Sequence, residues 1–65
     1  MNINVNGDNQ TVSATTLAEA LTELGFGNAK IATAVNEGFV PVSLRATHIL
    51  NEGDRLEILA PMQGG

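Results

Sequence analysis

Thr16-Leu17-Ala18-Glu19-Ala20-Leu21-Thr22-Glu23-Leu24-Gly25-Phe26 holds a complete amphipathic helix with both of its ends written into it. Thr16 stands three residues before Glu19, the spacing of a capping box. The threonine hydroxyl accepts from the Glu19 amide while the Glu19 carboxylate reaches back to the Thr16 amide. Leu17, Leu21 and Leu24 fall at i, i+4 and i+7 and make one apolar stripe, supported by Ala18 and Ala20; Thr22 and Glu23 are left for solvent. Gly25 supplies the left-handed residue that closes a helix, and Phe26 folds back on the last turn.

Strand patterns flank this helix. Upstream, Ile3 and Val5 alternate with Asn2, Asn4 and Asn6, the period of a half-buried strand. Asn6-Gly7-Asp8 tolerates positive φ, which predicts a hairpin with a return strand over residues 9–12. Downstream, residues 31–35 form a β-branched and alanine-rich run, read as a buried strand and closed by Asn36-Glu37-Gly38. Residues 39–42 read as a short edge strand, because Pro41 cannot donate to a central ladder. Residues 43–50 are irregular or briefly helical, and Asn51-Glu52-Gly53-Asp54 is a strong turn signal. Residues 55–59 make the last strand, with Leu56 and Ile58 pointing inward. The pattern predicts an α+β domain over residues 1–59, a sheet of four to five strands with the helix on one face, followed by a flexible tail at residues 60–65.

Composition narrows the function more by exclusion than by suggestion. A chain of 65 residues allows one modest core, and 43% hydrophobic content makes that core feasible without staples. Cysteine is absent, which removes disulfides, thiolate–zinc sites, iron–sulfur clusters and thiol nucleophiles. The single histidine, His48, cannot build a zinc site without several converging carboxylates. A net charge of −4 argues against nucleic acid and against anionic membranes, and it suits steering toward a basic partner surface. The opening residues carry neither a basic n-region nor an apolar h-region, so the cytoplasm is the expected compartment. No acid–base pair or nucleophile with an orienting partner can be assembled from these residues, so a free-standing enzyme is not expected.

The chemistry that remains lies in the tail. Six extended residues reach roughly 20 Å at about 3.3 Å each. Pro61 stiffens the exit from the sheet, and Gly64-Gly65 present no side chains, which suits insertion of a terminus into a narrow slot of another protein. The Gly65 carboxylate is a poor electrophile until activated. Its attack on the α-phosphate of ATP makes an acyl-adenylate, and a sulfur nucleophile then displaces AMP to leave a thiocarboxylate. A protein without cysteine can carry sulfur in this way. The competing reading is a frayed end, since Gly-Gly at a terminus is a weak motif.

Other residues weigh less. Leu59 and Met62 flank the tail and Phe39 can join them across the sheet; they read either as a partner-docking patch or as edge-of-core packing for Phe39 and ordinary exposure for the other two. His48 reads as a surface or turn residue. Glu52 and Asp54 bracket a glycine, but the spacing of a calcium loop is missing and a hairpin turn explains them. Arg45 and Arg55 fit either a partner's acidic groups or solubility and surface ion pairs.

The whole chain resembles the ThiS family of thiamine-biosynthesis sulfur carriers. Ile3-Asn4-Val5-Asn6-Gly7 resembles the family's opening strand and turn, and Thr16-Leu17-Ala18-Glu19-Ala20-Leu21 sits where its helix stands. Ala32-Thr33-Ala34-Val35-Asn36 followed by Val40-Pro41 is similar to its A-V-N…V-P segment. Glu52-Gly53-Asp54-Arg55-Leu56-Glu57-Ile58 is similar to its D-G-D run before the terminal glycines. Two features depart from the family: Val42 stands where many relatives have a basic residue, and a tryptophan often found shortly afterward is missing.

The resemblance implies a β-grasp, ubiquitin-like fold with a mixed sheet, and a monomer when free. It implies adenylation of Gly65 by an E1-like adenylyltransferase that consumes ATP, the carrier itself binding no cofactor. It further implies sulfur from a cysteine desulfurase or sulfurtransferase and donation to thiazole synthase, with Gly64 threading the partner's slot. Three other readings stay open. The small subunit of molybdopterin synthase is also a sulfur carrier and has a similar P-x-x-G-G ending. A ubiquitin-like interaction module would have an inert tail, and a conjugating modifier would use the same terminus for an isopeptide bond.

Overall fold

The computed structural model describes residues 1–60. Its helix, α1 (Leu17–Glu23), begins at Thr16 in extended conformation, and the capping box is complete. Glu19 N donates to Thr16 Oγ1 at 3.2 Å, and Thr16 N donates to Glu19 Oε1 at 3.2 Å. The remaining N-terminal amides also find acceptors: Leu17 N donates to His48 O, Ala18 N to Arg45 O and Ala20 N to Thr16 O. A seven-residue helix is too short to persist alone, so these partners and its buried stripe hold it. At its other end Gly25 takes φ +95°, Gly25 N donates to Thr22 O and Phe26 N to Leu21 O. That pair of bonds is a full Schellman closure, with Phe26 half-buried against the core.

Five strands form one mixed sheet: β1 (Asn2–Val5), β2 (Asp8–Thr11), β3 (Ala32–Val35), β4 (Gly38–Val40) and β5 (Arg55–Leu59). Their spatial order is β2-β1-β5-β3-β4, with β1 and β5 parallel and the other pairs antiparallel. Ile3, Val5, Val35, Leu56 and Ile58 point to one face, where Leu17, Ala20 and Leu21 of the helix close the core. This is the expected α+β architecture, a β-grasp with five strands.

Several boundaries differ from the sequence expectation. The return strand runs Asp8–Thr11 rather than over 9–12, because the Asn6-Gly7 loop has only two residues and Val5 pairs with Asp8. Val12 leaves the strand, buries its side chain and donates its N–H to Met1 O. The third strand begins at Ala32 and alternates instead of being buried throughout: Thr33 and Val35 face inward, Ala32 and Ala34 outward. The edge strand ends at Val40, since Pro41 starts a 3₁₀ turn (Val42–Leu44) that carries Val42 into solvent. The turn at Asn51 to Asp54 is tight but does not join two strands of the sheet; an isolated bridge between Thr16 and Ile49 stands where a hairpin partner would be.

Candidate functional site

β5 is the central strand and the one that leads into the C-terminal residues. It is fastened from both flanks by asparagines in left-handed conformation. Asn6, at φ 51°, ends β1, so the backbone of Ile58 meets no strand on that side. The Asn6 amide takes the strand's place, accepting from Ile58 N at 2.8 Å and donating from Nδ2 to Ile58 O at 3.1 Å. Asn36, at φ 50°, does the same at the other end: Arg55 N donates to its Oδ1 at 3.0 Å, and its Nδ2 donates to Asp54 Oδ1 at 3.0 Å. Asp54 is buried and its second oxygen accepts from Asn51 N at 2.8 Å. Both oxygens of Asp54 are thus spent on the turn, which is how the structure uses the acidic pair of that loop; Glu52 accepts from Asn2 N at 3.0 Å.

The outer face of the sheet carries the exposed apolar residues. Register places Phe39 beside Ala34, Ala34 beside Glu57, and Ala32 beside Leu59. Leu59 and Phe39 therefore stand on one face, separated by β3 and offset by two residues along it, roughly 12 Å apart from two strand spacings and two residue rises. The alanines between them are too small to cover either, and each is 70% exposed. Phe39 stands outside the core cluster, so its edge-of-core reading does not hold. Met62, Gly64 and Gly65, with the rest of residues 61–65, lie outside the described residues.

The two arginines separate. Arg55 pairs with Glu37 at 3.5 Å on the surface, in keeping with the ion-pair reading. Arg45 is half-buried: Nε donates to Thr33 Oγ1 at 3.0 Å and Nη2 to Ile31 O at 2.6 Å. Thr33 in turn donates to Val40 O at 2.8 Å. This network was not visible in the sequence, where Thr33 sits inside a β-branched run and Arg45 in an irregular one. His48 serves through its backbone carbonyl at the helix start. Among the described residues, Glu19 is the titrating group clearly displaced: the amides of Thr15 and Thr16 hold its carboxyl below the usual glutamate range. No group of three or more metal-ligating side chains converges among the described residues. No helix among them is long and apolar enough to cross a membrane.

The ThiS family model matches residues 2–65. The chain belongs to the ThiS family. Among solved structures, a crystal structure of the thiamine biosynthesis protein ThiS of Geobacter metallireducens superposes with a TM-score of 0.84 at 28% identity, covering 100% of both chains. An NMR structure of a thiamine biosynthesis protein of the same organism gives 0.78 at 26% identity, covering 100% of this chain and 88% of that one. These matches bear out the family resemblance and the β-grasp expectation together. A thiazole synthase of Paramagnetospirillum magneticum is 41% identical over 66 residues, covering 100% of this chain and 20% of that protein. This ThiS-family chain thus spans about a fifth of the length of the curated relative it matches.

Proposed function

We propose that this chain is the sulfur carrier of thiazole formation in thiamine biosynthesis, and that residues 60–65 are its working tail with Gly65 as the reacting group. The observation that carries the reading is the family match extending through Gly65, in a chain whose last described strand is pinned by Asn6 and Asn36 on either side. An E1-like enzyme brings the Gly65 carboxylate against ATP; the carboxylate oxygen attacks the α-phosphate and pyrophosphate leaves. A persulfide sulfur from a cysteine desulfurase or sulfurtransferase then attacks the acyl carbon and AMP leaves. Reductive cleavage of the resulting acyl disulfide by a thiol releases the thiocarboxylate. The carrier contributes reach and recognition, with Gly64 passing the narrowest part of the slot, and Leu59, Phe39 and Met62 docking on the partner.

Thiazole synthase is the proposed acceptor. A protein of that name contains a segment 41% identical to this whole chain, which fits a carrier and a synthase that must meet to work. The test is the intact mass after incubation with ATP, an E1-like adenylating enzyme and a sulfur source. A gain matching one oxygen replaced by sulfur, localised to Gly65 by fragmentation, is the expected result. An unchanged mass with an enzyme that charges another carrier would leave an inert ubiquitin-like module as the better reading.

A further inference from the structure

A groove of about 550 Å³ opens beside the end of β5, where Ile31, Ala32, Val42 and Leu59 form apolar walls and Lys30 and Arg45 supply charge. Its electrostatics set it apart from the rest of the molecule. The chain has seven acidic residues and a net charge of −4, yet none of the seven lines this groove, while two of its three Lys and Arg residues do. The third, Arg55, already has Glu37. Lys30 and Arg45 have no carboxylate within ion-pair distance among the described residues. Arg45 is also held in place, since its bonds to Thr33 and Ile31 are to neutral oxygens that orient the guanidinium without matching its charge. A half-buried, pre-oriented cation with no carboxylate partner among the described residues favours an incoming carboxylate.

We propose that this groove receives an acidic, aliphatic segment of the partner that captures the tail, a side chain such as leucine or valine seating between Val42 and Leu59 and a neighbouring carboxylate meeting Lys30 and Arg45. This rests on the carrier reading and deepens it. Leu59 and Ala32 belong both to the groove and to the outer sheet face, so one partner surface covers the two without a break. An acidic segment is repelled elsewhere on a carrier of this charge. The groove therefore fixes the orientation in which the carrier docks as well as adding contact.

Titration of the E1-like enzyme and of thiazole synthase with the full chain, at low and at moderate salt, tests this. Lys30→Glu and Val42→Glu alter exposed positions and leave the core untouched. Each is expected to weaken binding to at least one partner by about tenfold or more, with a shallower salt dependence for Lys30→Glu and recovery in Lys30→Arg. Binding of both variants within about twofold of the parent, at both salt concentrations, overturns the proposal. So does failure of the parent chain to bind either enzyme. A chain ending at residue 60 provides a further arm: if its Lys30 and Val42 amide resonances shift relative to the full chain, the occupant is the protein's own terminus and a partner segment is wrong. Sulfur loading at Gly65 is read separately by mass, so a parent that loads while both variants bind as it does sinks the groove alone, and a parent that does not load sinks the carrier reading.

Discussion

Thr33 is a polar residue in an apolar place, and its hydroxyl is fully used. It is 2% exposed, donates to Val40 O and accepts from Arg45 Nε. Thr33→Val keeps the shape and removes both bonds, leaving a carbonyl and a guanidinium N–H without that partner; a loss of about 1–3 kcal/mol in a denaturant titration is expected. Serine at the same position should recover part of it. Glu19 makes the complementary case on the surface. Its carboxyl titrates below the usual glutamate range because the amides of Thr15 and Thr16 bind the charged form. A folded value below the unfolded one gives stability that is fully present above the unfolded value and is lost as pH falls through the folded one. The melting-temperature gap between the parent and Glu19→Gln should therefore be widest near neutral pH, narrow as pH falls past the usual glutamate value, and close below the folded one. A gap that stays constant into acid would mean the capping contact carries no charge-dependent stability. The Thr16 and Glu19 pairing was legible because its three-residue spacing is a local signal. Thr33 was not, since its two partners are seven and twelve residues away and nothing in a run of β-branched residues marks which one turns inward.

Elements differ in the same way. The helix, the Asn6-Gly7 turn and the last strand follow from patterns of a few residues, and the structure places them where the sequence does. The order of strands rests on pairings that join the two ends of the chain, such as Asn4 with Arg55, and no local pattern encodes them. Proline misled by one step: Pro41 excluded a central strand correctly, but it ended the edge strand at Val40 and opened a 3₁₀ turn. The two asparagine turns were legible as turns and illegible as clamps, because Asn6 lies 52 residues from Ile58. Each clamp does for β5 what a neighbouring strand would do. Asn6→Ala should remove the two bonds to Ile58 and place alanine at φ 51°, costing about 2–3 kcal/mol in all. Asn6→Gly keeps the turn conformation and loses only the amide, so it should cost less. Hydrogen exchange resolves the clamp itself: the Ile58 amide should lose protection in both variants while Leu21 in the helix keeps its own. Equal loss at both positions would point to general destabilisation.

At the scale of the whole molecule, the proposed function separates fold from reactivity along the chain. Among the described residues, the core closes between the helix and the inner face of the sheet. The outer face keeps Phe39 and Leu59 in solvent at 70% exposure, which is affordable for stability and useful only if something covers them. Two kinds of variant should therefore fail in different ways. Removal of Gly64 and Gly65 deletes the proposed reacting group and touches no described contact, so melting temperature and binding to the adenylating enzyme should change little while the sulfur mass gain disappears. Phe39→Asp and Leu59→Asp leave the terminus intact and act at exposed sites, where stability should move by about 0.5 kcal/mol or less. For them binding should weaken, and loading should return when the partner is raised well above its new Kd. A carrier whose tail is both address and cargo would instead lose binding when the glycines go, and the sheet face would then be bystander surface. The decisive comparison is loading at saturating partner: recovery for the two aspartate variants and none for the truncated chain is what a division of labour between face and tail requires.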